Sequence, residues 1–206
     1  MMNDICFSRC QVHGAEEKEQ HIVLSCSTIV LSESGSPMDC SLSVFMPVDI
    51  YINPRMKQVG LKPGAYLKFT GKTVCSSVGN RIHFDMLLET PRRVEPASKT
   101  SDAFVVLFDA VLAQQGYRMY RDYMEAFLYY SNSPTSKRRF IIVRTDMNHV
   151  QDMKCEGKYN FSGPLRMRLV DGNMMPVVKT ETFVRDIVLT EFNVPIKMAK
   201  GDNMKK

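Results

Sequence analysis

The chain has 206 residues, of which 44% are hydrophobic and 24% are charged, and its formal net charge is +5. These values are ordinary for a folded globular protein, and no apolar run approaches the roughly 20 residues that cross a bilayer. Residues 1–10 also lack a basic region followed by an apolar core, so the sequence predicts no secretion signal, no membrane span and a cytoplasmic location.

The first part of the chain is built from short runs that are typical of β-strands. We predict strands at 7–12, at 21–31, at 41–52, in the segment that starts at 64, and at 81–89. A turn at 34–37 separates the second and third strands, and a connector over 53–63 has room for one helical turn. Residues 1–91 thus form a first five-stranded unit.

Residues 92–102, RRVEPASKTSD, contain a proline and small polar residues without apolar periodicity, which indicates a linker. A second unit is predicted over 103–194, and the Lys-rich residues 195–206 form a mobile tail.

The second unit follows the same plan as the first. Its predicted strands are 104–113, 124–130, 139–144, 158–169 and 177–189. A turn occurs at 132–135, a connector at 146–155, and Asp171-Gly172-Asn173 indicates a tight hairpin. One alternative remains open here: Ser101-Asp102 also looks like a helix cap, and residues 101–130 fit two helices, which would make the second unit α+β.

One short segment occurs in both units. The first copy runs from Gly64 to Gly71 (GAYLKFTG), and the second runs from Gly157 to Gly163 (GKYNFSG) and is one residue shorter. The repeat favours two units of similar fold over one large domain. Five strands, with a short connector between the third and fourth and a hairpin between the fourth and fifth, predict two tandem OB-fold-like barrels in a mainly β protein.

The second unit resembles the bacterial-type single-stranded DNA-binding proteins, most clearly over residues 124–189. RRFIIVRTDMNHVQDM is similar to the third strand and connector of that family, and CEGKYNFSGPLRMR is similar to its fourth strand. In the first unit, GLKPGAYLKFTGKTV resembles the same pattern. The chain departs from the family in having no tryptophan and no acidic tip at its end. The resemblance implies an OB fold and binding of single-stranded DNA.

The charge distribution agrees with a ligand on the second unit. Residues 1–96 contain ten Lys and Arg against ten Asp and Glu, whereas residues 97–206 contain 17 against 12, so the excess of five lies in the second half. Binding a single strand requires cations along the phosphates and flat rings for the bases. The candidates in the second unit are Lys137, Arg138, Arg139, Phe140, Tyr129, Tyr130, Tyr159, Phe161, Arg166 and Arg168.

Several of these candidates have a purely structural interpretation as well. Tyr129 and Tyr130 are adjacent on a strand, so at most one of them faces outward. Tyr159 and Phe161 share one face, and core packing explains them as well as stacking does. In the first unit, whose charge is balanced, the candidates are Lys68, Lys72 and Arg81.

The remaining polar residues do not indicate an enzyme. The six cysteines and four histidines show no metal-binding spacing, and there is no phosphate-binding glycine loop or nucleophile elbow. We therefore predict no catalytic residues, metal or cofactor, and we expect the cysteines to be reduced thiols.

The leading hypothesis is a non-enzymatic protein that binds single-stranded DNA, with RNA as the alternative ligand. It would protect the strand in replication, recombination or mobile-element transfer, and we expect a homo-oligomer. The second hypothesis is a protein-interaction or assembly module, for which 15 adaptable methionines could supply the partner surface.

Overall fold

Strands make up most of the chain. The computed structural model describes residues 3–79, 81–130, 139–154 and 157–185. Its strands are β1 (Asn3–Lys18), β2 (His21–Ser32), β3 (Pro37–Pro47), β4 (Tyr66–Val78), β5 (Arg81–Leu87), β6 (Val94–Pro96), β7 (Ala103–Met119), β8 (Met124–Tyr130), β9 (Arg139–Thr145), β10 (Lys158–Val170), β11 (Asn173–Lys179) and β12 (Thr182–Arg185). The mainly β prediction is confirmed.

Short helices lie between some of these strands. They are α1 (Val48–Tyr51), α2 (Pro54–Gln58) and two 3-10 helices, Pro91–Arg93 and Met147–Asp152. Asn53 caps α2 by accepting a hydrogen bond from the Arg55 amide at 3.0 Å. No helix in the described ranges is long and apolar enough to cross a membrane.

The first five long strands pair into a ring. β1 pairs with β2, β2 with β3, β3 with β5 in parallel and β5 with β4. The pairing of β4 back to β1 closes the circle. We call this the first ring. The two short helices α1 and α2 connect its third and fourth strands, as an OB-like layout requires.

The second ring repeats this pattern. β7 pairs with β8, β8 with β9, β9 with β11 in parallel and β11 with β10, and β10 returns to β7. The hairpin predicted between its last two strands is confirmed, because Val170 pairs with Asn173 and both intervening residues, Asp171 and Gly172, have positive φ. Positive φ at both central positions matches the right-handed twist of the strands.

The two rings are joined by backbone pairing. The first part of β1 pairs with β7, from Asn3 opposite Leu107 to Phe7 opposite Ala103. The residues predicted as a linker also make contacts, since Val94–Pro96 forms β6 against β4 and the Ser8 amide donates to the Asp102 carbonyl at 2.9 Å. One cluster of buried side chains includes residues from both rings.

Three element predictions need correction. The α+β alternative is wrong, because residues 103–119 and 124–130 are strands that pair with each other. Residues 48–51 are helical rather than the end of the third strand. The fifth strand of the second unit starts at Asn173 and stops at Lys179, and a further strand, β12, pairs with β10. The predicted strand end at 186–189 and the tail at 195–206 lie outside the described residues.

The closing glycines of the repeated segment have a steric explanation. A Cβ on Gly71 would lie against the Leu87 carbonyl, and a Cβ on Gly163 would lie against the Lys179 carbonyl, both closer than van der Waals contact allows. The fourth strand of each ring therefore needs a residue without a side chain where the following segment crosses it closely.

Candidate functional site

Side chains on β8 point alternately to the interior of the second ring and to its other side. On β8, Met124, Ala126, Leu128 and Tyr130 are buried in the second ring. Glu125, Phe127 and Tyr129 therefore point to the other side. Across the ladder, Glu125 is opposite Arg144 and Tyr129 is opposite Phe140. We call this side of the two strands, with Arg118 from β7, the β8–β9 face. Phe127, Tyr129 and Phe140 are at least partly exposed on it, whereas Glu125 is buried beneath it.

Aromatic rings and arginines lie next to one another on the β8–β9 face. The guanidinium of Arg118 is 5.4 Å from the ring centroid of Phe127. The rings of Tyr129 and Phe140 meet edge to face, with centroids 6.4 Å apart, and Phe140 remains 47% exposed. A cation over a ring and an exposed ring are the groups that hold a phosphate and a base.

Three planar groups contact one another where β7 connects to β8. The guanidinium of Arg144 lies 4.3 Å from the Tyr123 ring centroid. The rings of Tyr123 and Tyr120 are stacked, with centroids 4.7 Å apart and planes 18° from parallel. Tyr120 is 40% exposed, so it offers ring surface to a ligand at the edge of the β8–β9 face.

Beneath this stack lies a cluster of two arginines and two glutamates. Glu125 is only 1% exposed and accepts hydrogen bonds from Arg144 at 2.9 Å and from Arg168 at 2.8 Å. Glu33, from the β2–β3 turn of the first ring, accepts from the same two arginines, each at 2.7 Å. We call these four residues the arginine–glutamate cluster, and it links the two rings.

The cluster stabilises the charged forms of Glu125 and Arg168. Burial disfavours ionisation of Glu125, but hydrogen bonds from Arg168 and Arg144 outweigh it and lower the pKa of that carboxyl. Hydrogen bonds from Arg168 to Glu125 and Glu33 raise the pKa of that guanidinium. Glu125 and Arg168 are therefore both charged at neutral pH.

Two grooves border the β8–β9 face. One, of about 370 Å³, lies beside Tyr123 and Arg144 and includes Lys179. The other, of about 330 Å³, lies beside Phe140 and Arg139 and includes Ser76 and Ser77 of the first ring. Both have room for a group the size of a nucleotide.

Part of the predicted set comes together in the second ring. Tyr129 and Phe140 lie side by side on the β8–β9 face, and Arg139 lines the adjoining groove. Arg166 is partly exposed and donates to the Leu165 carbonyl at 2.8 Å, whereas Arg168 belongs to the arginine–glutamate cluster. Lys137 and Arg138 lie outside the described residues.

Three of the predicted aromatic side chains lie in the core instead. Tyr130 is 4% exposed, Tyr159 is fully buried, and Phe161 is 2% exposed. Tyr159 stacks on Phe183 with centroids 5.3 Å apart, and its hydroxyl accepts a hydrogen bond from the Lys154 amide. Their alternation along the strands turns all three inward, so the prediction that they stack on bases is wrong in this structure.

The first-ring candidates are dispersed. Lys68 forms an ion pair with Glu95 at 2.7 Å, and this hydrogen bond raises the lysine pKa. Lys72 pairs with Glu89 at 2.5 Å, and Arg81 is exposed at the start of β5. Lys68 and Lys72 are thus each paired with a glutamate of the first half of the chain.

Sequence reasoning missed Arg118, Phe127 and Arg144, and also the stacked Tyr120 and Tyr123. The signal was present, because Glu125, Phe127 and Tyr129 have a period of two. The apolar residues between them concealed that period, because a run in which nearly every residue is apolar or aromatic fits a helix as well as a strand.

The cysteines of the described ranges are free thiols. Burial raises the pKa of Cys26 to about 12 and that of Cys40 to about 11, so both thiols stay protonated at neutral pH. Among the described side chains, no group of three or more His, Cys, Asp or Glu residues is placed to hold a metal ion.

The methionines contribute mostly to packing. Met46, Met56, Met86, Met124 and Met167 are all buried in the core. Met119 is 62% exposed at the end of β7, next to Tyr120. The methionine surface that the interaction hypothesis requires is thus not formed by these five.

No family model and no curated protein matches the sequence. Among solved structures, the chain is similar to a deletion mutant of the single-stranded DNA binding protein from Thermus aquaticus, with 9% identity, coverage of 90% of this chain and 94% of that one, and a TM-score of 0.49. It is also similar to the p204 HINb domain, with 8% identity, coverage of 86% and 95%, and a TM-score of 0.25. At such low TM-scores, these likenesses decide nothing about function.

Proposed function

We propose that the protein binds single-stranded DNA, with little sequence preference, on the β8–β9 face of the second ring. The observation that carries this proposal is the row of guanidinium groups and accessible rings on one surface, from Arg118 and Phe127, through Tyr129 and Phe140, to the Tyr120–Tyr123 stack. Rings stack on any base, and guanidinium groups bind the phosphates between bases.

Strands 2 and 3 and the loop between strands 1 and 2 are the parts of an OB-like fold that contact oligonucleotides. In the second ring these are β8, β9 and the turn that holds Tyr120 and Tyr123. The protein would hold the strand extended and unpaired, and so protect it during replication, recombination or transfer of a mobile element. RNA is the alternative ligand, and a matched oligo-rU probe distinguishes the two.

The test is fluorescence anisotropy of labelled oligo-dT over a salt series. We expect binding that weakens as salt rises, because each arginine that neutralises a phosphate releases a counterion. Phe140→Leu should weaken binding about tenfold, the loss of one stacked base at about 1.4 kcal/mol.

A matched control is available on the same protein. Phe108 is 40% exposed, similar to Phe140, but lies on β7 far along the strand from Arg118. Phe108→Leu should leave the affinity unchanged. Equal effects of the two substitutions, or no binding by the native chain at low salt, would contradict the proposal.

Self-association is a separate part of the proposal. We propose that the protein forms a homo-oligomer, and light scattering with and without oligo-dT measures its mass. A monomer in both conditions would remove this part and leave the strand-binding proposal in place.

A further inference from the structure

A β-bulge in β1 places Arg9 on the surface of the first ring. Phe7 and Cys10 are both completely buried, so the two residues between them, Ser8 and Arg9, both leave the interior. The register between β1 and β4 shifts at this point. Bulges re-aim side chains and are enriched beside functional sites.

Tyr66 reaches the same surface because of the length of the repeated segment. In the second copy, Tyr159 lies two residues before Phe161, and both are buried. In the first copy, Tyr66 lies three residues before the buried Phe69 and is 45% exposed. The extra residue thus turns the first tyrosine outward, because side chains alternate along a strand.

Arg9 and Tyr66 form a fixed pair. The guanidinium of Arg9 lies 4.1 Å from the Tyr66 ring centroid. Its Nη1 donates to the Ser98 carbonyl at 3.2 Å, and Thr28 Oγ1 donates to the Arg9 carbonyl at 3.0 Å. The cation and the ring are therefore held in place before any ligand arrives.

A groove of about 250 Å³ runs beside this pair. Its wall includes the Gln11 amide and the Ser27 hydroxyl, which supply both donors and acceptors, and the carboxylate of Asp39. Asp39 repels phosphate from its side of the groove, which leaves the Arg9 side for an anion. The groove thus combines a cation, an accessible ring and neutral polar groups.

We propose that this groove is a second subsite for the single strand, in which a base stacks on Tyr66 and the adjoining phosphate binds Arg9. The inference rests on the proposed function and extends the path of the strand from the second ring to the first. It also assigns a ligand to the first ring, although the balanced charge of that part of the sequence did not favour one.

The test compares two lengths of oligo-dT on the full chain. About 8 nucleotides fill one OB-like site, whereas about 30 span two. The double variant Arg9→Gln, Tyr66→Leu should bind the long probe about tenfold more weakly, with a salt slope smaller by about 0.7, and bind the short probe normally. Arg92→Gln, which removes an exposed arginine from the 3-10 helix Pro91–Arg93, should change neither probe's affinity.

A second measurement does not depend on the variant being stable. Long oligo-dT substituted with 5-iodouracil is photocrosslinked to the native protein, and the crosslinked residues are mapped by mass spectrometry. We expect crosslinks at Tyr66 as well as in the second ring. Crosslinks confined to the second ring, or equal affinity of the double variant for the long probe, would overturn the subsite and leave the proposed function intact. Failure of the native protein to bind either probe would remove both.

Discussion

At the scale of single residues, Glu125 is the most deeply buried charged side chain among the described residues. Its side chain is 1% exposed and lies between two arginines that are 28% and 23% exposed. Glu125→Gln would leave those arginines with one carboxylate fewer. We expect a loss of about 3 kcal/mol in the free energy of unfolding, the lower end for a broken buried pair because the arginines remain partly solvated. Urea denaturation measures it.

Glu16 supplies the control for this change. It forms an ion pair with Lys18 at 3.1 Å, but both side chains are more than half exposed. Glu16→Gln removes the same charge and should change the unfolding free energy by less than about 1 kcal/mol. Similar losses for the two variants would show that the arginine–glutamate cluster is not a special source of stability.

The lowered pKa of Glu125 also predicts acid sensitivity. A carboxyl whose folded pKa lies below its unfolded value stabilises the fold above the unfolded value, and this stabilisation is lost as the pH falls through the folded pKa. Unfolding midpoints measured from neutral pH to about pH 3 should therefore fall more steeply for the native chain than for Glu125→Gln. Parallel curves would contradict this assignment.

Glu33 competes with phosphate for two arginines of the second ring. It accepts hydrogen bonds from Arg144 and Arg168, so Glu33→Gln makes the surface beside the β8–β9 face more positive by one charge. We expect oligo-dT to bind several-fold more tightly at low salt, with a salt slope steeper by about 0.7. Weaker binding would show that Glu33 positions the arginines rather than competing with the strand.

At the scale of elements, the sequence predicted most strands but not which way individual aromatic side chains point. Alternation indicated that at most one of Tyr129 and Tyr130 faces outward but not which one, whereas the Asp171-Gly172 turn was correct because its backbone requirement is local. Tyr66 and Tyr159 look equivalent in the repeat, yet one is exposed and the other is buried. A one-residue difference reverses the face of a strand, and only the pairing register reveals it.

Long-range contacts were beyond prediction for a similar reason. Glu33 meets Arg168 across 135 positions of sequence, and nothing in the residues around either one indicates the partner. The bulge that exposes Arg9 also depends on the pairing of β1 with β4. Local patterns determine the elements, but the site depends on how the two rings are joined.

A further prediction concerns the glycine at which the fourth strand of the second ring is crossed closely by the following segment. Gly163 lies against the Lys179 carbonyl, where a Cβ has no space and the neighbouring atoms are backbone. Gly163→Ala should therefore lower the unfolding free energy by about 1–3 kcal/mol through overpacking. The neighbouring Ser162 bonds to the exposed Thr182 at 2.7 Å, so Ser162→Ala serves as the control with a small effect. Thermal unfolding of both variants decides the point.

At the scale of the whole molecule, the two rings share structure that neither can form alone. The first part of β1 lies between β4 of its own ring and β7 of the second. Glu33 of the first ring completes the arginine–glutamate cluster of the second. One cluster of buried side chains also includes residues of both rings. Separation of the rings would expose the backbone edge of β7 to water.

We therefore expect the full chain to unfold in a single cooperative transition by calorimetry, with a calorimetric enthalpy equal to the van't Hoff enthalpy. A fragment of residues 103–194 should unfold at a lower temperature and aggregate, because β7 lacks its β1 partner and Glu125 faces both arginines without Glu33. Adding a fragment of residues 1–102 should restore part of the stability. Two separate transitions in the full chain, or a second-unit fragment as stable as the whole, would show that the rings fold independently. The contacts between them would then add little to stability.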